Sequence, residues 1–163
     1  MAISARPLTA EAFAPFGAVI ECGAGEVIAI NEGTCERHHA LARLEHAAGR
    51  VPILSIFRAQ PRTLPLALRM MERHPLGSQA FVPLERRPWV AVVAPDRDGR
   101  PGPPVAFRCR GDQGLSYGPG VWHHPLIALE RRSDFLVVDS AGDAPNLEEA
   151  DFPEPWTLLA EPQ

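Results

Sequence analysis

The residues able to do chemistry gather in two stretches. The first is Glu72-Arg73-His74-Pro75-Leu76-Gly77-Ser78-Gln79, the second Gly118-Pro119-Gly120-Val121-Trp122-His123-His124-Pro125. Glu72 and His74 are two apart, so on a strand they share a face. Leu76-Gly77-Ser78 reads as a bend that can return Gln79 toward them. The glycines on either side of Pro119 turn the chain sharply just before the two histidines. Neighbours on a strand point to opposite faces, so at most one of His123 and His124 enters an interior. The reading assigns His123 to the cluster and leaves His124 structural. Glu72, His74, Gln79 and His123 together form an oxygen and nitrogen donor set of the kind that holds a divalent metal. Gln79 is neutral, so this set binds a metal less tightly than one with a second carboxylate.

The elements that must position these residues are short. The chain of 163 residues is long enough for one domain with a real core, and 45% of it is hydrophobic. A single domain over 1–163 is expected, with no internal repeat and no linker. Thr9 caps a short helix through Ala14, which Gly17 ends. Strands are expected at 18–21, 27–30, 51–58, 80–84, 89–94, 105–109 and 134–139. The 105–109 strand pairs with 89–94. Segment 40–48 fits a helix or a strand equally well. Residues 95–104 read as a solvated loop, and the chain from Ala141 as an acidic, proline-punctuated tail whose Trp156–Leu159 end closes an edge strand or docks on a neighbour. Eighteen prolines and the lack of a long amphipathic helix give an all-β sandwich or barrel with one or two short helices.

The formal net charge of −4 argues against nucleic acid as the main partner. All sixteen basic residues are arginine, which excludes Schiff-base chemistry and a lysine base. Arginine suits two-pronged recognition of a carboxylate. Cys22, Cys35 and Cys109 show no CxxC spacing, so reduced structural thiols are expected. No apolar run reaches the length of a membrane span and the N-terminus carries no signal pattern, so a cytoplasmic protein is expected.

Glu72-x-His74-x4-Gln79 resembles the first cupin motif with its first and last positions changed, and Gly120-x-x-His123 resembles the end of the second. Longer strings are more specific. Glu72-Arg-His-Pro-Leu-Gly-Ser-Gln-Ala-Phe-Val-Pro83 and Gly120-Val-Trp-His-His-Pro-Leu126 resemble the signature segments of the ureidoglycolate lyase family. So do Leu8-Thr9-x-Glu11-x-Phe13, Ile30-Asn31-x-Gly33, Arg37-x-His39, Arg58-Ala-Gln-Pro61 and Asp134-Phe135-Leu136. The resemblance runs from about residue 8 to about residue 140.

That resemblance implies a cupin-like β-barrel that forms a homodimer and acts on a small molecule. It implies cleavage of (S)-ureidoglycolate to glyoxylate and urea in allantoin (purine) degradation, with a divalent metal, Ni2+ being the candidate. Such a substrate needs a base or metal for its hydroxyl proton, an acid for the departing nitrogen and a cation for its carboxylate. His74 or His123, or the metal they bind, suits the first role, and Glu72 is a ligand or the base. Arg58 ends an apolar strand and is the first candidate for the carboxylate; strand parity turns Arg73 away from Glu72 and His74. Asn31, Gln79 and Tyr117 are candidates for the urea group, and His39 for the cavity. Trp122 reads as core or cavity wall, His46 as surface, and Asp139 as a turn residue or a support for a neighbouring side chain. Two other readings stand beside this one. One is another cupin enzyme on a small hydroxy or keto acid. The other is a non-catalytic cupin domain that binds a small molecule.

Overall fold

The computed structural model describes residues 1–160. The first part of the chain forms β1 (Ala2–Ile3), β2 (Ala5–Pro7), α1 (Ala10–Phe13), β3 (Gly17–Ile20), β4 (Glu26–Ile30) and β5 (Cys35–His39). The middle forms β6 (Val51–Ala59), β7 (Leu66–Arg73), β8 (Gln79–Pro83), β9 (Trp89–Ala94), β10 (Asp96–Arg97), β11 (Arg100–Pro101) and β12 (Val105–Cys109). The last part forms β13 (Gly114–Tyr117), β14 (Trp122–His123), β15 (Ile127–Ala128), β16 (Ser133–Ala141) and β17 (Glu148–Leu158).

Two sheets face one another. The larger runs β1-β17-β7-β14-β9-β12-β2, with β15 also on β9, and the smaller runs β3-β13-β8-β16-β6. Ala91, Val93 and Phe107 of the larger sheet meet Phe81, Leu115, Phe135 and Val137 of the smaller across the interior. A second core lies on the other face of the larger sheet, built from Leu68, Val90, Val92, Trp122, Phe152 and Leu158. Strand β9 is therefore buried on both faces, which is why its sequence is an unbroken apolar run rather than an alternating one. The two curled sheets make the cupin-like β-barrel that the sequence predicts.

The helix start is as expected: the Thr9 hydroxyl accepts from the Ala12 amide at 3.2 Å. The helix stops at Phe13, and Gly17 opens β3 instead of closing the helix. Gly17 has φ +150°, and a Cβ there would run into the Ser116 carbonyl, so β3 can lie against β13 only without a side chain at this position. Among the expected strands, 105–109 does pair antiparallel with 89–94.

Three expectations are corrected, and one strand is added. Segment 40–48 is neither helix nor strand. It is an irregular loop pinned by Ser78 N–H to Glu45 O at 2.8 Å and Ala47 N–H to Leu76 O at 2.9 Å. Residues 95–104 contain the β10–β11 hairpin, whose turn residues Asp98 and Gly99 both have positive φ, as a tight hairpin turn requires. The acidic tail holds the longest strand, β17, which lies between β1 and β7 instead of at an edge. Its charges suggest solvent, but the strand turns Phe152 and Leu158 into the second core. Strand β13 was not foreseen, because Gly114-Leu-Ser-Tyr is too short and mixed to stand out, yet all four residues are buried between β3 and β8.

Candidate functional site

The site lies inside the barrel at one end. Strand β14 is inserted between β7 and β9, with His123 opposite Glu72 on one side and Val93 on the other. Val93 belongs to the barrel core, so His123 and Glu72 face the interior. Trp122 takes the opposite face, where its Nε1–H donates to Asp96 Oδ1 at 2.9 Å and Arg73 stacks 4.4 Å over its ring. Arg73 also donates to Glu148 at 2.6 Å, so it points away from Glu72 as strand parity predicts.

His74 follows the last residue of β7, and the bend after it carries it back to the cluster. The Leu76 amide donates to Asn146 Oδ1 at 2.6 Å and the Gly120 amide to the His74 carbonyl at 3.0 Å. The two stretches that bear the histidines are thus tied together by backbone. Glu72, His74 and His123 each offer a ligand atom, and these atoms lie within 4.8 Å of one another. His123 Nε2 is 3.5 Å from Glu72 Oε1.

The tautomers of both histidines follow from their partners. His74 Nδ1 sits 2.6 Å from the Asn146 carbonyl, and His123 Nδ1 2.9 Å from the Val121 carbonyl. A carbonyl only accepts, so each Nδ1 carries a proton, and in the neutral form of either ring that leaves Nε2 bare. Both Nε2 atoms are buried without a hydrogen-bond partner, and so is Gln79 Oε1. Burying such atoms unpaired is costly, and a divalent ion relieves that cost. The imidazole, imidazole and carboxylate set, with the second ring nitrogen of each histidine fixed by a carbonyl, fits such an ion.

Charge supports the same arrangement. Burial pushes the Glu72 carboxyl up, but a hydrogen bond from His123 when that ring is protonated, and then the positive charge of His123, His74 and His124 in their protonated forms, outweigh burial and hold it below its usual range. Glu72 is therefore a carboxylate at neutral pH, able to accept a proton or a metal bond and not to donate. Tyr117 is buried, and its ring stacks on His123 at 4.3 Å and 12°. Burial first, then Cys109 and Glu72, raise its phenol well above the ordinary value, so it keeps its proton.

The smaller sheet supplies the opposite wall. Tyr117 pairs with Gln79, and Gln79 shares the inward face of Phe81. A cleft of about 120 Å3 beside Tyr117 is lined also by Arg43, Glu45 and Ser78. A larger cleft of about 520 Å3, lined by Leu8, Pro88, Arg108 and Gln113, contains none of the cluster residues.

Other candidates lie elsewhere within the chain. Arg58 pairs in register with Asp134, beside the inward pair Phe57 and Phe135, so both point to the outer face. The guanidinium grips Asp134 there with bonds of 2.8 and 2.7 Å. Asn31 sits at the exposed tip of the β4–β5 hairpin with φ 52°. His39 ends that hairpin, and its Nδ1 is buried without a partner, whereas His38 Nδ1 accepts from the Gly23 amide at 3.0 Å. Burial lowers the pKa of His124, against the opposing effect of its Nδ1 contact with the Pro125 carbonyl at 2.8 Å. His46 is exposed. Sequence reasoning missed Asn146, which orients His74 through its carbonyl and the bend through its side chain. Its place in a charged, proline-rich stretch gave no signal.

Comparison of the sequence with known proteins matches the chain to a family. The family model described as ureidoglycolate lyase matches residues 1–159, so the match extends through β17. Ureidoglycolate lyase of Agrobacterium fabrum is 55% identical over 158 residues, covering 96% of this chain and 95% of the relative. The Rhizobium etli protein of the same name is 54% identical over 154 residues, covering 94% and 93%. That of Brucella abortus is 54% identical over 151 residues, covering 92% and 89%. The chain belongs to the ureidoglycolate lyase family.

Proposed function

We propose that this protein is a cytoplasmic, single-domain ureidoglycolate lyase that cleaves (S)-ureidoglycolate to glyoxylate and urea in allantoin degradation. The observation that carries the reading is the convergence of two bare, buried Nε2 atoms on an ionised carboxylate inside the barrel.

The reaction breaks one carbon–nitrogen bond. The hydroxyl carbon becomes the aldehyde carbon of glyoxylate, its hydroxyl proton leaves, and the departing urea nitrogen gains a proton. The net change is one proton moved from oxygen to nitrogen, with no water consumed. Glu72, His74 and His123 would hold a divalent ion, Ni2+ being the candidate. Such an ion supplies a Lewis acid that acidifies an oxygen beside it. Glu72 and the two Nε2 atoms make this wall of the site rich in acceptors for the hydroxyl proton. The Tyr117 hydroxyl, held protonated, is a hydrogen-bond donor for the urea group. Gln79 is placed with the substrate, since a neutral oxygen adds no charge to a metal site. This reading gives no role to Arg58, which grips Asp134 on the outer face, to Asn31, at an exposed hairpin tip, or to His39.

Purified protein given freshly prepared ureidoglycolate should release glyoxylate above the spontaneous rate, and chelation should remove most of that gain. His74→Ala and His123→Ala should each lose activity by orders of magnitude while remaining folded. Full activity in either variant would contradict the assignment.

We further propose a homodimer. Strand β6 is an edge strand, yet it exposes Val51, Ile53, Leu54 and Ile56, with Leu54 at 72%. An apolar edge of this kind invites pairing, and a second copy of the chain is the partner proposed for it.

A further inference from the structure

Asp139 holds a buried acceptor that has no place in the roles given above. Asp139 lies on β16, which alternates regularly and sends Phe135 and Val137 into the barrel core. Asp139 is next on that face, so it points inward with them. Its Oδ1 is buried without a hydrogen-bond partner. Its neighbour across the ladder follows from the register. The last paired residues of β16 and β8 are Val138 and Ala80, and one step further along both strands places Asp139 opposite Gln79. The close approach behind this rung agrees, for a Cβ on Gly77 would lie 2.6 Å from Ser140 Oγ. Directly opposed side chains have Cβ atoms about 5 Å apart. Gln79 Oε1 is likewise buried and unpartnered.

The smaller sheet thus presents a row Asp139–Gln79–Tyr117 to the interior. Two of its three polar ends are acceptors without donors. Asp139 is the stronger half, because a carboxylate has no donor to turn inward, whereas an amide has. Neither acceptor is explained as structural, since an unmade buried hydrogen bond is a cost. Nor does Asp139 join the metal-ligand group, which comprises Glu72, His74 and His123. The row therefore calls for a ligand that carries several N–H donors and approaches from the barrel interior.

We propose that Asp139, with Gln79, is the specificity-determining pair of the site, accepting hydrogen bonds from the N–H groups of the ureido end of the substrate. This rests on the lyase reading and deepens it. A ureido group has an NH and a terminal NH2, so it offers both acceptors donors at once. The pair also explains how the site distinguishes ureidoglycolate from glycolate or other hydroxy acids, which cannot satisfy it. A site built around a buried acceptor rejects a ligand without the matching donor far more strongly than an apolar pocket rejects a methyl.

The test compares two small probes on the metal-loaded protein by calorimetry. N-carbamoylglycine keeps the ureido and carboxylate groups but lacks the hydroxyl, so it cannot be cleaved; glycolate lacks the ureido group. Asp139→Ala should weaken N-carbamoylglycine binding by about tenfold or more, the usual effect of losing a hydrogen bond to a charged group. Glycolate affinity and metal content should stay within about twofold. Asp139→Asn keeps the shape and one acceptor oxygen, and it should recover part of the loss. In turnover, Asp139→Ala should raise KM more than it lowers kcat. Equal loss of both probes, or loss of neither, overturns the proposal. Wild-type protein that binds N-carbamoylglycine through Asp139 but does not cleave ureidoglycolate would overturn the lyase reading and leave the pair standing. If Asp139→Ala does not fold, Asp139→Asn and Gln79→Ala decide by the same two probes.

Discussion

A histidine becomes a metal ligand or a base through the group that holds its other nitrogen. In this barrel both holding groups are backbone carbonyls, those of Asn146 and Val121. His74 is the more vulnerable, because the bend that carries it depends on the Asn146 side chain. Asn146→Ala leaves the Leu76 amide without its acceptor and frees the bend, and it should lower metal affinity by about 10- to 100-fold, as losing such supporting contacts does. Metal titration of the variant checks this, and unchanged affinity would mean the bend is held by Gly120 alone. His46→Ala, at an exposed ring, should change neither metal content nor kcat. The Arg58–Asp134 pair gives a pH prediction. The Arg58 hydrogen bond, against a smaller effect of burial, holds the Asp134 carboxyl below its usual range. A carboxyl depressed in the folded state stabilises above its unfolded pKa and stops doing so as pH falls through the folded value. Arg58→Ala should therefore lower the melting temperature slightly at neutral pH, and the gap from wild type should close in acid. Both groups are on the surface, so the effect is small.

At the scale of elements, the site is assembled by strands that are far apart in sequence. The closeness of Glu72, His74 and His123 was legible, because the first two share a short spacing and the third follows a marked Gly-Pro-Gly turn. The partners of that cluster were not. The facing of Asp139 and Gln79 follows only from extending the register of β16 on β8 by one step, and Asn146 reaches His74 only because β17 returns to β7. No local pattern encodes a non-local register. Strand β17 was hidden by its acidic residues and prolines, and segment 40–48 misled in the other direction, since its alanines and leucines suit a helix that its tertiary bonds to 76–78 do not permit. Two substitutions test the supporting elements. Leu115→Ala, on fully buried β13, should cost about 2–5 kcal/mol in denaturant melts. Gly17→Ala forces a side chain onto the Ser116 carbonyl and should destabilise the β3–β13 edge and, through Tyr117, reduce activity together with stability. A fully stable, fully active Gly17→Ala would show that β3 does not support the site.

The whole molecule is a barrel closed by two sheets, with its chemistry at one end and an apolar edge strand on its outside. Composition and turn signals narrowed the architecture to an all-β sandwich or barrel, since short strands without amphipathic helices leave few others, and the family resemblance pointed to the barrel. The edge was partly legible: Val51–Arg58 was an evident strand, but nothing in it said that the strand lies at an edge. If a second copy covers β6, Leu54→Glu should convert the protein from a dimer to a monomer in sedimentation equilibrium while its circular dichroism is unchanged. A wild-type monomer at micromolar concentration would remove the dimer from the account.

The central claim is the reaction, and its products decide it most directly. Purified protein with freshly prepared ureidoglycolate, corrected for spontaneous breakdown, should release glyoxylate and urea in equal amounts, with both lost together in His123→Ala. Glyoxylate accompanied by ammonia in place of urea, or no release above the spontaneous rate, would contradict it.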